Sequence, residues 1–369
     1  MSKIIKFARS INIKKRVNIK TIFKPLGFIY GLVTGFRNLL YDFGLIRGRS
    51  FDVPVISIGN ITVGGTGKTP HTEYIIRLLQ DKFRIAVLSR GYGRKSKGFV
   101  SYTPGTPATI IGDEPFQIAN KFPDIRVAVD EKRAHGINAL LNSERYDAIL
   151  LDDAFQHRKV TPSLNILLVD YNRNIMDDYM LPAGRLREWA YNRKRADIII
   201  VTKCPKEISQ REREELSGRL CVSESQRIFF TTIKYGVPYS INNDKELINL
   251  EQLSVDSSIL LLSGIASPQQ MYSHIRQFTD NIEMLTFGDH HNYTLSDIYS
   301  LKLKLSKISA TRKFILTTEK DAARLREMNL EEDLRKFIYV LPIEMSFIND
   351  GTIFDNCIIE HLNRYIYDQ

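Results

Sequence analysis

The chain has 369 residues, 43% of them hydrophobic and 25% charged. At roughly 150 residues per domain this length points to two domains, and the composition excludes a largely disordered chain and a polytopic membrane protein. Three isolated cysteines (Cys204, Cys221, Cys357), without C-x-x-C spacing, exclude a disulfide scaffold and a structural zinc site and fit a reducing compartment. The net charge of +10 is concentrated in residues 1–50, which hold eleven Lys/Arg and one acid, Asp42, while the remaining 319 residues are neutral. A charge confined to one end argues against nucleic-acid binding by the folded body and for local attachment to a membrane surface.

Residues 3–24 are Lys-rich, and an apolar stretch follows from Leu26 to Leu45. Leu26, Ile29, Val33, Phe36, Leu40 and Phe43 fall on one helical stripe. Arg37, Asn38 and Asp42 interrupt the run of about 20 apolar residues that a membrane span requires. No small-residue cleavage site follows. The pattern predicts an amphipathic helix in a membrane interface behind a polybasic lead. The competing expectation is a helix packed on its own domain.

Val53–Ile58 reads as a buried strand leading into Gly59-Asn-Ile-Thr-Val-Gly-Gly-Thr-Gly-Lys-Thr69. A helical pattern with Tyr74, Ile75, Leu78 and Leu79 on one face comes next. Strand, Gly-rich loop, Lys-Thr and helix are the context of a phosphate-binding loop. Its glycines let successive N–H groups face phosphate oxygens, and the helix adds its positive end. Thr62, Val63, Gly64, Gly65, Thr66, Gly67, Lys68 and Thr69 form the predicted nucleotide loop, with Lys68 on the β- and γ-phosphates and Thr69 on Mg²⁺. Thr62 stands where the usual pattern has glycine.

Further short apolar strands are predicted at 84–88, 126–129, 148–151, 165–169 and 198–201, alternating with helices or loops. Such alternation implies a mostly parallel sheet with helices on both faces and ligand groups at the C-terminal strand ends. Ser89-Arg-Gly-Tyr-Gly-Arg94 suits a phosphate or sugar-phosphate. Gly112-Asp113-Glu114-Pro115 offers a general base, a metal ligand or a helix cap. Asp152 and Asp153, after an apolar strand, read as a Mg²⁺-holding pair, since adjacent carboxylates call for a cation. After the strand 197–201, Thr202-Lys-Cys-Pro205 has proline at the position of a guanine-reading aspartate, which favours ATP over GTP.

Composition shifts near 219–229, where the second domain is expected to begin. Strands are predicted at 259–262, 284–287, 314–317 and 337–341. Asp289, His290 and His291 follow one of them; a single histidine polarising a carboxylate fits better than metal ligation. Thr318-Glu-Lys-Asp321 reads as a cap with a surface ion pair, or as part of a site.

Val63–Pro70, Leu88–Arg94, Gly112–Pro115, Leu151–Arg158, Asp289-His290 and Thr318–Asp321, in this order, resemble the tetraacyldisaccharide 4′-kinases of lipid A biosynthesis. The resemblance runs from the basic N-terminal helix to about residue 325, and the Thr62 departure agrees with it. It implies ATP-dependent phosphorylation of the 4′-hydroxyl of a tetraacylated disaccharide 1-phosphate at the cytoplasmic face of the inner membrane. It also implies Asp113 as base with His290 as its partner. Lys68 and Thr69 keep their loop roles, Arg90 and Arg133 contact phosphate, and Glu114, Asp152 and Asp153 hold Mg²⁺. Ala154 stands where the family commonly has glycine. The expected α/β fold is a P-loop NTPase-like, mostly parallel sheet flanked by helices. Its expected parts are an N-terminal amphipathic segment (1–50), a nucleotide-binding core (51–222) and a smaller α/β second domain (223–369) closing the cleft. The expected partners are the acylated disaccharide and the membrane surface, with no nucleic acid and no obligate protein partner. The alternative reading is a membrane-recruited P-loop ATPase switch.

Overall fold

The computed structural model describes residues 19–254, 256–265, 268–288 and 291–367. Its centre is a nine-stranded sheet of β1 (Val55–Gly59), β2 (Ile85–Ser89), β3 (Val100–Ser101), β4 (Arg126–Val129), β5 (Ala148–Asp152), β6 (Leu164–Asp170), β7 (Ile198–Thr202), β8 (Arg227–Tyr235) and β14 (Ile343–Phe347). The order is β14-β8-β7-β6-β1-β5-β2-β4-β3. The seven strands from β8 to β4 run parallel, and β14 and β3 close the edges antiparallel. β1, β2, β5 and β7 are buried along their whole length, which explains their near-continuous apolar sequence.

A smaller five-stranded sheet comprises β9 (Tyr239–Ser240), β10 (Ser257–Ser263), β11 (Ile282–Thr286), β12 (Arg312–Thr318) and β13 (Ile338–Leu341), ordered β11-β10-β12-β13-β9. The helices in chain order are α1 (Ile19–Asp42), α2 (Lys68–Leu79), α3 (Ala108–Ile111), α4 (Asp113–Lys121), α5 (Arg133–Ser143), α6 (Gln210–Arg219), α7 (Gln269–Ile275), α8 (Leu295–Lys307), α9 (Glu319–Arg326), α10 (Glu332–Arg335) and α11 (Gly351–Tyr367). Helices cover both faces of each sheet. α2 lays Ile75, Ile76 and Leu79 against Ile56, Ile58 and Leu150 on one face of the large sheet, and α5 lays Ile137 and Leu140 against Val55 and Leu88 on the other. The sequence expectation of an α/β P-loop NTPase-like fold with a second α/β unit is met.

The expected division at residue 222 does not follow the sheets. β8 extends the parallel sheet beside β7, and β14 returns to pair with β8. α11 then places Phe354, Ile358 and Leu362, all fully buried, in the same core cluster as α2. The smaller sheet is therefore an insertion spanning 239–341, and the C-terminal end belongs to the large sheet. The Ile-Glu-Met-Ser-Phe of β14 is too short and mixed to announce an edge strand in sequence.

α1 answers the question left open at its stripe, because it has two different faces. Its small and polar face docks: Gly27, Gly31 and Asn38 are buried. The Trp189 indole N–H donates to the Gly31 carbonyl (2.8 Å), and a Cβ on Gly31 would meet that indole at 2.4 Å. Arg37 pairs with the buried Glu188 (2.9 Å), and Asp42 pairs with Arg158 (2.7 Å). Leu26, Ile29, Val33, Phe36 and, just past the helix, Phe43 are exposed, as are Ile22, Phe28, Leu32 and Leu39; Leu40 is half-buried. No helix among the described residues is long and apolar enough to cross a membrane.

Candidate active site

The loop after β1 sits at the centre of the sheet, between the C-terminal ends of β5 and β6. Gly64 (φ 105°) and Gly67 (φ 85°) take left-handed backbone that a side chain would strain. Thr62 makes a bridge with Leu186, and the Val63 N–H donates to the Arg185 carbonyl (2.8 Å). Position 62 thus lies in bridged chain without left-handed backbone, so it does not require glycine. Around Gly65 there is open space within 4 Å of where a Cβ would stand, as a phosphate cradle requires.

Residues outside the loop brace it. The Asn60 amide donates to the Thr66 hydroxyl (2.7 Å), and the Thr202 hydroxyl donates to the Thr66 carbonyl (2.9 Å). Lys203 donates to the Gly65 carbonyl and pairs with Asp170 (2.8 Å). His71 is buried, and burial pushes it down to about 4, so it is neutral. Its Nδ1 donates to the Gly67 carbonyl (2.7 Å), leaving Nε2 to accept from the Thr231 hydroxyl (3.0 Å). Asn60, His71 and Thr231 carry no motif and were invisible in sequence. Thr202-Lys203 shows in sequence only as a motif that lacks the guanine-reading aspartate.

At the end of β5, Asp152 is fully buried and Asp153 half-buried. The Thr72 hydroxyl donates to Asp152 Oδ1 (3.2 Å), whereas the buried Asp152 Oδ2 has no hydrogen-bond partner. Burial pushes the Asp152 carboxyl up to about 7, with Glu114 and Asp153 adding to the shift and Lys68 and Arg133 opposing it. Burial acts on Asp153 in the same sense, but Lys68 and Arg187 outweigh it and hold that carboxyl below its usual range. Lys68 Nζ lies 3.7 Å from Asp153 Oδ1, and Arg187 Nη1 lies 3.2 Å from the same oxygen. Asp153 itself has φ 48°, whereas Ala154 is not left-handed. The strain at this turn falls on the aspartate, which tolerates it better than most residues, so the missing glycine at 154 has no conformational consequence.

Arg133 is 2% exposed and donates to the main-chain carbonyls of Asp130 (2.5 Å) and Asp152 (3.3 Å). In this arrangement it braces the end of β5 rather than standing in solvent, unlike Arg90, which is exposed. Burial, then the charges of Arg133 and Arg90, push His157 down to about 4.

Asp113 opens α4; its neighbour Gly112 (φ 92°) occupies the cap position, so the carboxylate is not a helix cap. The Arg324 guanidinium of α9 donates from Nε (2.9 Å) and Nη2 (2.5 Å) to Asp113 Oδ2. Glu114 pairs with Lys320 (3.3 Å). Asp289 and His290 lie outside the described residues. His291 stacks on Phe287 (ring centroids 4.4 Å apart) and pairs with Asp297 (2.9 Å), which closes the capping box of α8. Thr318 caps α9 by accepting from the Asp321 N–H (3.1 Å), as one reading of that motif expected.

The family model described as tetraacyldisaccharide-1-P 4′-kinase matches residues 19–363. The chain belongs to this family. It is 48% identical over 345 residues to the tetraacyldisaccharide 4′-kinase of Phocaeicola vulgatus, covering 92% of this chain and 94% of that one. To its namesake from Flavobacterium johnsoniae it is 46% identical, covering 94% and 98%. The fold superposes on a crystal structure of LpxK from Aquifex aeolicus in complex with ATP with a TM-score of 0.73 at 26% identity, covering 93% of this chain and 99% of that chain. The motifs that carry the resemblance in sequence lie within the family match, which also extends past residue 325, beyond their reach.

Proposed function

We propose that this kinase transfers the γ-phosphoryl group of ATP to the 4′-hydroxyl of a tetraacylated glucosamine disaccharide 1-phosphate, forming the tetraacyl lipid A precursor, with Asp113 as the base. The observation that carries this reading is the meeting of Lys68 with the Asp152–Asp153 turn at the end of β5, where phosphate, cation and cationic side chain are needed together. Asp113 and Glu114 approach from α4, and the charge of Glu114 is felt at Asp152.

ATP is the phosphoryl donor. Its phosphates fit the cradle of Gly64, Gly65, Thr66 and Gly67, with Lys68 on the transferred group. Beside the loop, a cleft lined by Thr231, Ile233, Tyr235, Ile265 and Met345 supplies an apolar bed for the base of the nucleotide. Mg²⁺ is tested by the oxygen donors available. Among the described residues no group of three or more His, Cys, Asp or Glu forms a cage. Mg²⁺ needs only one or two carboxylates alongside phosphate oxygens and water. The partnerless buried Asp152 Oδ2 meets that need, with Asp153, Glu114 and the Thr69 hydroxyl as the other oxygen donors. When bound, Mg²⁺ supplies positive charge to the phosphate oxygens. Asp113 accepts the proton of the sugar hydroxyl as the bond to phosphorus forms, Lys68 steadies the γ-oxygens, and Arg90 contacts substrate phosphate. His290 is assigned as the partner of Asp113.

The lipid substrate gives α1 its task. Its docked face holds the helix to the body, while Leu26, Ile29, Val33 and Phe36 face outward as a contiguous apolar surface. Together with the polybasic residues 1–24 this supports monotopic attachment to the cytoplasmic face of the inner membrane. The test is incubation with tetraacyl disaccharide 1-phosphate, ATP and Mg²⁺ in detergent, followed by mass spectrometry of the lipid. Gain of one phosphate on the distal sugar, lost in Asp113→Ala, is the expected result. ATP hydrolysis stimulated by vesicles without lipid phosphorylation would reject it in favour of a membrane-recruited ATPase switch.

A further inference from the structure

The Thr318–Asp321 motif and the arginine that follows it have no place in the reaction as written above, yet they reach the base. Asp321 is fully buried. Its Oδ2 accepts from the Gly264 N–H (3.0 Å) at the end of β10 and from the Thr318 hydroxyl (2.8 Å) at the end of β12. Its Oδ1 takes Arg324 Nη1 at 3.3 Å. The same Nη1 lies 3.3 Å from the His291 carbonyl, and Nε and Nη2 both bind Asp113 Oδ2. One guanidinium, 6% exposed, thus joins the base on the large unit, the capped ends of two strands of the smaller sheet, and the loop that follows His290.

We propose that Arg324 is a positioning residue for the general base, and that Asp321 orients it, so that the aim of Asp113 is set by the smaller unit. This rests on the reading of Asp113 as the base. Arg324 donates to Asp113 Oδ2 from both Nε and Nη2. Two donors of one planar guanidinium on a single carboxylate oxygen hold that oxygen in place and restrict where the other can swing. A base works only within hydrogen-bond reach of the proton it accepts, and a misplacement of about 1 Å costs on the order of 10²-fold. Docking of the two units does not hang on Arg324 alone. Lys121 of α4 binds Glu319 of α9 at 2.8 Å, Lys320 pairs with Glu114, and Glu327 accepts from the Ala108 N–H.

The experiment compares Arg324→Lys, Asp321→Asn, Asp113→Asn and the Asp113→Asn/Arg324→Lys double variant, full length, in the lipid assay with a melting curve for each. Arg324→Lys keeps the charge and loses the fork. The proposal expects kcat to fall about 10–100-fold with KM for ATP within about 3-fold. It expects the double variant to be no slower than Asp113→Asn alone, since an aim has no value once the base is gone. If Arg324→Lys does not fold, Asp321→Asn, which leaves Arg324 in place with one anchor weakened, is expected to lose about 3–10-fold in kcat at unchanged KM. Unchanged kcat in whichever of these two variants folds, or losses that multiply in the double variant, overturn the positioning role. Unchanged kcat in Asp113→Asn instead overturns the reading of the base, and the two failures are thereby told apart.

Discussion

At the scale of single residues the proposed chemistry rests on Lys68 and Asp113, and their loss is expected to show differently. Lys68→Ala removes the loop cation proposed to face the transferred group and leaves Asp153 with Arg187 as its paired cation. Turnover is expected to fall by at least about 10³-fold; a rate within tenfold of the unmodified enzyme would remove Lys68 from the site. Asp113→Asn keeps the shape and is expected to lower kcat by about 10²–10⁴-fold while ATP binding, read by calorimetry, stays within a factor of three. Glu73 offers a prediction about stability instead. It is buried on α2 beneath Lys121 (2.7 Å), with Glu319 on the same lysine. Burial, then the charge of Glu319, pushes its carboxyl up to about 6 despite Lys121 and Arg77. A carboxyl raised on folding binds more protons in the native state than in the unfolded chain. Its contribution to stability therefore declines as pH rises from about 4.5 to 6 and stays low above that. Glu73→Gln has no such slope. The stability difference between variant and unmodified protein is expected to move in the variant's favour by on the order of 1–2 kcal/mol across that window, followed by chemical denaturation at several pH values. A difference flat from pH 4.5 to 7 would show that Glu73 titrates normally.

Among elements, α1 shows its outward apolar stripe in sequence but not its docked face. The apolar stripe from Leu26 to Phe43 looked like a face to be buried somewhere, and the spacing alone did not say where. What holds the helix to the protein is the opposite line of Gly27, Gly31, Asn38 and Asp42, residues that a hydrophobicity scan passes over. Small residues permit close approach, and Trp189, which meets Gly31, Arg158, which meets Asn38, and Glu188, which meets the neighbouring Arg37, lie about 120 to 160 residues away in sequence. That separation is why docking could not be read from the chain. Two variants separate the faces. Val33→Glu with Phe36→Glu is expected to abolish co-flotation with anionic vesicles without lowering the melting temperature; retained flotation would reject the outward face as the membrane contact. Gly31→Leu drives a side chain into Trp189 and is expected to cost about 1–3 kcal/mol; an unchanged melting curve would mean the helix is not docked there.

For the whole molecule, the parallel core and the phosphate loop followed directly from alternating apolar runs and a strand–loop–helix motif. The second unit's strands at 259–262, 314–317 and 337–341 were equally visible. The connection was not: β14 and α11 return to the large sheet across a whole intervening unit, and no local signal encodes a return of that length. Phe354, Ile358 and Leu362 each contribute about 1.5–3 kcal/mol by burial. Truncation after residue 342 is therefore expected to leave the nucleotide unit insoluble or molten, and a cooperative melt in the truncated chain would contradict the topology. Of the proposed site, Lys68, Thr69, Asp113, Asp152 and Asp153 stand in or beside motifs recognisable in sequence. The bracing set of Asn60, His71, Thr202, Arg187 and Arg324 was not legible there, because each acts through a contact made only by the fold.

The fate of the γ-phosphate distinguishes lipid phosphorylation from ATP hydrolysis. Incubated with γ-labelled ATP, Mg²⁺ and a tetraacyl disaccharide 1-phosphate in detergent, the protein is predicted to place the label on the 4′-oxygen of the distal sugar, and Asp113→Asn to place almost none. Label released as inorganic phosphate, with the lipid unchanged in mass, would contradict it.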